Sequence, residues 1–337
     1  MRKSNYSQEF RESTIKFCID NSDRSISSIS RDLGLNKETK PTHTNQHIIP
    51  KCYLKAWNDS TLINQDSGKA YNQPQVWAYN KITGKEEQLS AKTNFTQEDF
   101  YTIKDDQGER DLTIEHALDK VEVKFDWLRD NKLLKHEQLD PEEHFNVCLF
   151  IATMHNRTIS RIHHLGDMLK PIQEKLKSYE EFTKTATVEE LKKMSGISRK
   201  SDSEAINIEE LNEVIAKPLE NIMVPIVNHL AVELTKLKMA IFYTKEDFGF
   251  ITSDNPCVWK SQEAQMRHPM FSSPGLNDDT INIILPISPT HCILLNKQIE
   301  GYIDIDTNPE SIDQINTLIY EHAENCIISN QKGIKFT

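Results

Sequence analysis

Glycine is scarce in this chain, with 10 residues in 337, and the scarcity removes several classes of chemistry. There is no glycine-rich phosphate loop, no G-x-G-x-x-G dinucleotide turn and no G-x-S-x-G nucleophile elbow, each of which needs backbone that a Cβ would obstruct. The H-E-x-x-H zinc motif is missing as well. No apolar run approaches a membrane span, and the longest, Val147 to Ala152, suits a buried helix instead. The polar opening MRKSNYSQEF lacks the apolar core of a secretory signal. The six cysteines, Cys18, Cys52, Cys148, Cys257, Cys292 and Cys326, stand singly without a C-x-x-C pair. That usage points to reduced core thiols in a soluble, cytoplasmic chain with no membrane partner.

Basic charge is in deficit too. The 40 Lys and Arg against 51 Asp and Glu leave a formal net charge of -11, which excludes a protein that coats nucleic acid non-specifically. The deficit is uneven: residues 1–40 hold eight basic and six acidic side chains, so they carry +2 and the rest -13. Contact with DNA or RNA by the larger part therefore requires a local basic site.

What is present is a foldable chain, 37% hydrophobic and 27% charged, long enough for one main domain and a small appendage. Phe10, Ile15 and Phe17 mark a short amphipathic helix capped at Ser7. Ile26, Ile29 and Leu33 mark a second one that stops at Gly34. This opening, SQEFRE followed by SISSISRDLG, resembles the helix-turn-helix start of IS3-type insertion-sequence transposases over about the first 38 residues. The resemblance implies DNA contact, but Pro41 leaves roughly one turn for the element that should enter the major groove. A helical pair that packs or forms a homodimer is the alternative, and the expected domains are 1–42 and 43–337.

Beyond residue 43 the pattern predicts an α+β fold: a mainly helical domain with an N-terminal β-hairpin and a C-terminal antiparallel sheet. The hairpin is QVWAYN against Glu86–Ser90 around Thr83-Gly84. Ile114, Leu118, Val121, Phe125 and Leu128 recur at helical spacing, and a helix from Pro141 through VCLFIA is apolar all round, as a central helix would be. Residues Ser178–Asn212 are charged and weakly periodic, and a further helix is expected from Leu219 to Leu237. MAIFYT, GFITSD, CVWK, TINIILP and HCILLN read as strands, with a closing helix over Glu310–Glu324.

Four separated blocks carry a second resemblance. Gln46 to Trp57 (QHIIPKCYLKAW), Glu98-Asp99-Phe100-Tyr101, Asn156-Arg157-Thr158 and Phe250 to Pro256 (FITSDNP) together resemble the bacterial family known as domain of unknown function 4238, from Gln46 onward. The family implies no settled activity, so function rests on the residues.

His47 is a neutral-pH acid or base beside Lys51, Tyr53 and Lys55, a set suited to meeting a phosphate. The structural reading makes it a histidine that positions the turn before Pro50. Arg157 with Asn156 follows the apolar helix, where a charge needs a partner: a core carboxylate such as Glu115 or Glu122, or an anionic ligand. Asp254, flanked by Ser253 and Asn255, either bonds its own turn or projects into a cleft with His47. Glu98, Glu115 and Glu122 are oxygen donors suited to Mg²⁺ or Mn²⁺. These residues lead to the expectation of a phosphodiesterase or nuclease-like effector carried by mobile DNA. His47, Arg157 and Asp254 would be catalytic, and Lys51, Tyr53, Lys55, Asn156, Ser253 and Asn255 would hold substrate. The alternative is a DNA-binding or protein-interaction module without catalysis.

Overall fold

Tyr53 and Trp57 show how the QHIIPKCYLKAW block is used. Pro50 starts a short helix, α1 (Lys51–Leu54), that continues as a 3-10 turn to Trp57. This places both rings on one side, fully buried, with centroids 4.9 Å apart. The Tyr53 hydroxyl donates to Pro286 O at 2.6 Å and meets Thr252 Oγ1 at 2.7 Å. The Trp57 indole donates to Phe250 O at 3.2 Å. In the computed structural model, which describes residues 44–64, 71–104, 109–187, 219, 223–246, 249–268, 272–306 and 310–333, Thr252 and Pro286 belong to two different sheets.

The described chain begins with β1 (Asn45–His47), α1 and the hairpin β2 (Gln75–Asn80) and β3 (Glu86–Ser90). It continues through β4 (Thr96–Glu98), β5 (Ile103–Lys104), β6 (Arg110–Asp111), α2 (Thr113–Asn131), α3 (Pro141–Asn156), α4 (Ile159–Thr185) and α5 (Val224–Leu234). The C-terminal part holds β7 (Lys238–Tyr243), β8 (Thr252–Ser253), β9 (Val258–Ser261), α6 (Gln262–Gln265), β10 (Ile281–Ser288), β11 (His291–Asn296), β12 (Gly301–Asp304), α7 (Glu310–His322) and β13 (Cys326–Ser329). The fold is α+β. The helix-turn-helix expected over 1–42 lies outside the described residues, as does the charged stretch from 188 to 212.

Two compact units divide the described residues. The smaller holds 44–46 and 97–120. Within it β5 pairs antiparallel with β6, the Gln46 side chain bonds the Tyr101 N–H and the Thr102 hydroxyl, and Asp111 caps the start of α2 through the Thr113 N–H.

The larger unit, 47–96 and 121–333, carries two sheets. One runs β12-β7-β11-β10-β9 and the other β3-β2-β13-β8. The middle strands β10 and β11 are apolar on both faces and almost wholly buried, as strands covered on both sides must be. The β2-β3 hairpin forms as the sequence predicts, with Asn80 Oδ1 bonding the N–H groups of Ile82 and Thr83 and Gly84 at φ 68°. It is not a separate element, however, because β13 pairs with β2 and extends it. The C-terminal sheet also departs from pure antiparallel pairing. Its edge strand β12 runs parallel to β7, returning after β11 on the far side of β7.

Helix α3 has a full start signal: Asp140 and Glu143 form a capping box and Pro141 occupies the first turn. From Val147 to Asn156 nearly every side chain is buried, and Phe150 stacks on Phe125 of α2 at 3.6 Å. Helix α7 lays Ile312, Ile315 and Ile319 over a cluster with Ala240, Ile284 and Ile327, joining residues of both sheets. Gly249 permits one close approach: a Cβ there would lie 2.3 Å from Pro289 O, so only glycine lets Phe250 N–H reach that carbonyl at 2.7 Å. The described cysteines are free and mostly buried, and no described helix is long and apolar enough to cross a membrane.

Candidate functional site

The end of α3 brings the first group together. Arg157 is the residue that stops the helix, and its side chain turns inward to 2% exposure. Nη1 meets Glu122 Oε1 at 2.7 Å, and Nη2 donates to His47 O at 2.6 Å. Arg157 thus finds a carboxylate, Glu122, and ties three segments of the larger unit to one another. Cys52 Sγ lies 3.9 Å from the same carboxylate, and burial together with Glu122 and Asp126 pushes its thiol well above the usual range. It is an inert thiol.

His47 lies beside this pair. Burial lowers its pKa, against the opposing pull of Glu122 and the carbonyls of Ala91 and Lys92, with Arg157 adding to the lowering. Its Nε2 is buried and has no hydrogen-bond partner among the described residues. Asn156, also fully buried, donates to Ala152 O at 2.8 Å, and its Oδ1 has no partner among the described residues.

The remaining expected residues have other neighbours. Asp254 accepts the backbone N–H groups of Glu324, Asn325 and Cys326 at 2.9, 2.8 and 3.1 Å, binding the turn between α7 and β13. Burial nonetheless raises its pKa, with those bonds opposing. Ser253 Oγ accepts from the Asn255 N–H, and the Asn255 amide reaches His322 O. The SDNP block is therefore a staple between strands distant in sequence. Tyr53 has no exposed surface with which to touch a substrate. Lys51 is half-buried, while Lys55 pairs with Asp126 and Asp130 at 3.5 and 3.3 Å. Glu98 is exposed and Glu115 half-buried, both in the smaller unit, whereas Glu122 belongs to the larger one. Among the described residues, no three His, Cys, Asp or Glu side chains gather as ion ligands.

Lys55 borders a cleft of about 320 Å³ whose walls include Arg129, Ser288, Thr290 and Asn330. Arg129, 1% exposed, is held by Asp126, Asp130 and Cys52 O. This cation has all the partners it needs.

Arg161 does not. It stands in the first turn of α4, where Thr158 Oγ1 caps its N–H at 3.3 Å. Its guanidinium has no ion pair among the described residues, its Nε is buried without a partner, and burial alone lowers its pKa. His155 links it to further donors. The His155 ring stacks on Trp259 at 4.6 Å. Its pKa falls to about 3 through burial first, then the charges of Arg161 and His322, with the carbonyl of Cys257 opposing. The Trp259 indole N–H, also buried, finds no nitrogen or oxygen acceptor among the described residues and reaches toward the Cys257 thiol. A half-buried cation, an unmatched N–H and the positive end of a long helix are the elements of an anion site. Sequence reasoning missed Arg161 because an arginine in the first turn of a charged helix reads as solvated. Only the fold, which buries its Nε, shows otherwise.

These features define an α+β protein with two sheets bridged by a buried Tyr-Trp turn and a long helix whose first turn carries an arginine without an ion pair among the described residues. The chain belongs to the family described as Protein of unknown function (DUF4238), whose model matches residues 45–333. No curated protein and no solved structure matches it.

Proposed function

We propose that this protein is a binding module for a phosphate-bearing ligand, a nucleotide or the end of a nucleic-acid strand. The observation that carries the reading is Arg161: a half-buried guanidinium without an ion pair among the described residues is costly to fold unless an anion completes it. Its half-buried position beside the His155–Trp259 stack suits a terminal phosphate with an aromatic base nearby better than a duplex backbone. The net charge of -11 agrees with a local site rather than a basic surface. In this reading the transposase-like residues 1–42 add a DNA contact, made by one copy or by a pair.

Titration with inorganic phosphate, a nucleoside monophosphate and a 5′-phosphorylated oligonucleotide, followed by calorimetry and tryptophan fluorescence, tests the proposal. Arg161→Gln should weaken binding about tenfold or more, the scale of one charge-assisted contact. Equal affinity in wild type and variant would overturn it.

His47 favours a second reading, a phosphodiesterase or nuclease-like activity in which it serves as acid or base. Its support is a neutral imidazole with Nε2 unpartnered beside the Glu122–Arg157 pair. Cleavage of DNA and RNA with Mg²⁺, Mn²⁺ or chelator should then be lost in a folded His47→Ala variant. No cleavage by the wild-type protein removes this reading and leaves the first.

A further inference from the structure

Two imidazoles distant in sequence meet on the five-stranded sheet. His136 ends the 3-10 turn Leu133–Lys135 in a left-handed conformation, φ 59°. Its exposed ring stacks on Tyr302 at 4.5 Å and tilts over Tyr243 at 4.3 Å. Tyr302 also anchors the adjacent backbone, donating from its hydroxyl to Glu137 O at 2.9 Å. His291 opens β11 opposite Tyr243 of β7 and is 8% exposed. The two Nε2 atoms lie 3.1 Å apart.

We propose that His136 and His291 form a binding site for a late first-row divalent cation, Cu²⁺, Ni²⁺ or Zn²⁺, with water in the remaining positions. An ion about 2.0–2.1 Å from each imidazole nitrogen holds the two nitrogens about 3.3 Å apart at a tetrahedral angle, within a small swing of the observed separation. His136, at the surface, supplies that swing and leaves the ion's outer side open to solvent. His291 Nδ1 lies 2.9 Å from Thr290 Oγ1. In the tautomer that binds an ion, Nδ1 donates to that hydroxyl and Nε2 keeps its lone pair, the outer-shell bond characteristic of metal-ligating histidines. The ligand set is nitrogen alone, which selects against Mg²⁺ and Mn²⁺.

The bland competitor is a plain N–H···N hydrogen bond between neutral rings. Titration of the full chain with Cu²⁺, Ni²⁺, Zn²⁺ and Mg²⁺ by calorimetry, with Cu²⁺ paramagnetic resonance, separates the two. The expected result is a Cu²⁺ signal with two equatorial imidazole nitrogens, binding of Zn²⁺ and Ni²⁺, and no Mg²⁺ binding. His136→Gly suits the left-handed backbone at this position and should weaken binding about tenfold or more while the thermal midpoint holds. His136→Asn, which also tolerates that backbone, serves if the glycine variant does not fold. Absence of ion binding, or unchanged binding in the folded variant, would overturn the proposal.

Discussion

Glu122→Ala is expected to lower the stability of the chain by about 3 kcal/mol, the scale of an uncompensated buried charge. The Arg157 guanidinium is 3% exposed and its carboxylate partner 15%, so removing Glu122 leaves a cation that water cannot reach. A carbonyl such as that of His47, which accepts from Nη2, carries no net charge to offset it. Urea denaturation at pH 7 measures the loss as a shift in midpoint at constant slope. The double variant Glu122→Leu, Arg157→Met should recover most of it, because hydrophobic replacement of a whole buried pair is close to neutral. If Glu122→Ala instead kept wild-type stability, the pair would be dispensable for folding, and a ligand-facing role for Arg157 would gain the ground that the structural role lost.

The second large effect is acid sensitivity. His155 has its pKa depressed to about 3 in the fold, below the unfolded value of about 6.5. A depressed histidine is neutral when folded and takes up a proton on unfolding. Its contribution is therefore complete above pH 6.5 and is lost progressively as pH falls toward 3. At pH 5 the loss is about 2 kcal/mol from this residue alone, at 1.36 kcal/mol per pH unit. His291, lowered to about 4, acts in the same direction. Unfolding midpoints measured from pH 7 to pH 4 should fall steeply for the wild type and less steeply for His155→Phe, which keeps an aromatic ring against Trp259 and removes the titration. A parallel decline in the two proteins would show that His155 is not the group responsible.

Much of the local structure was legible because local signals agree. Asp140, Pro141 and Glu143 mark the start of α3, and the apolar VCLFIA marks its burial. The alternation in QVWAYN with Asn80 and Gly84 marks the hairpin, and the apolar runs INIILP and HCILLN mark the central strands. What could not be read was which partner each buried group meets. Asp254 looks like a turn residue and is one, but the turn it holds lies 70 positions away. Tyr53 looks like a substrate contact among lysines, yet its hydroxyl joins two sheets. Arg157 announced a need for a carboxylate without saying which one.

By itself, then, the sequence determined the α+β class, the positions of the main helices and strands, the free state of the described cysteines and the family resemblance from Gln46 onward, because propensity, capping and periodicity are properties of neighbouring residues. Only the tertiary structure decided that β13 would join the N-terminal hairpin, that Glu122 would neutralise Arg157, and that His136 would meet His291 across 155 positions. These are long-range pairings, set by which surfaces exclude water together, and no local pattern encodes the partner.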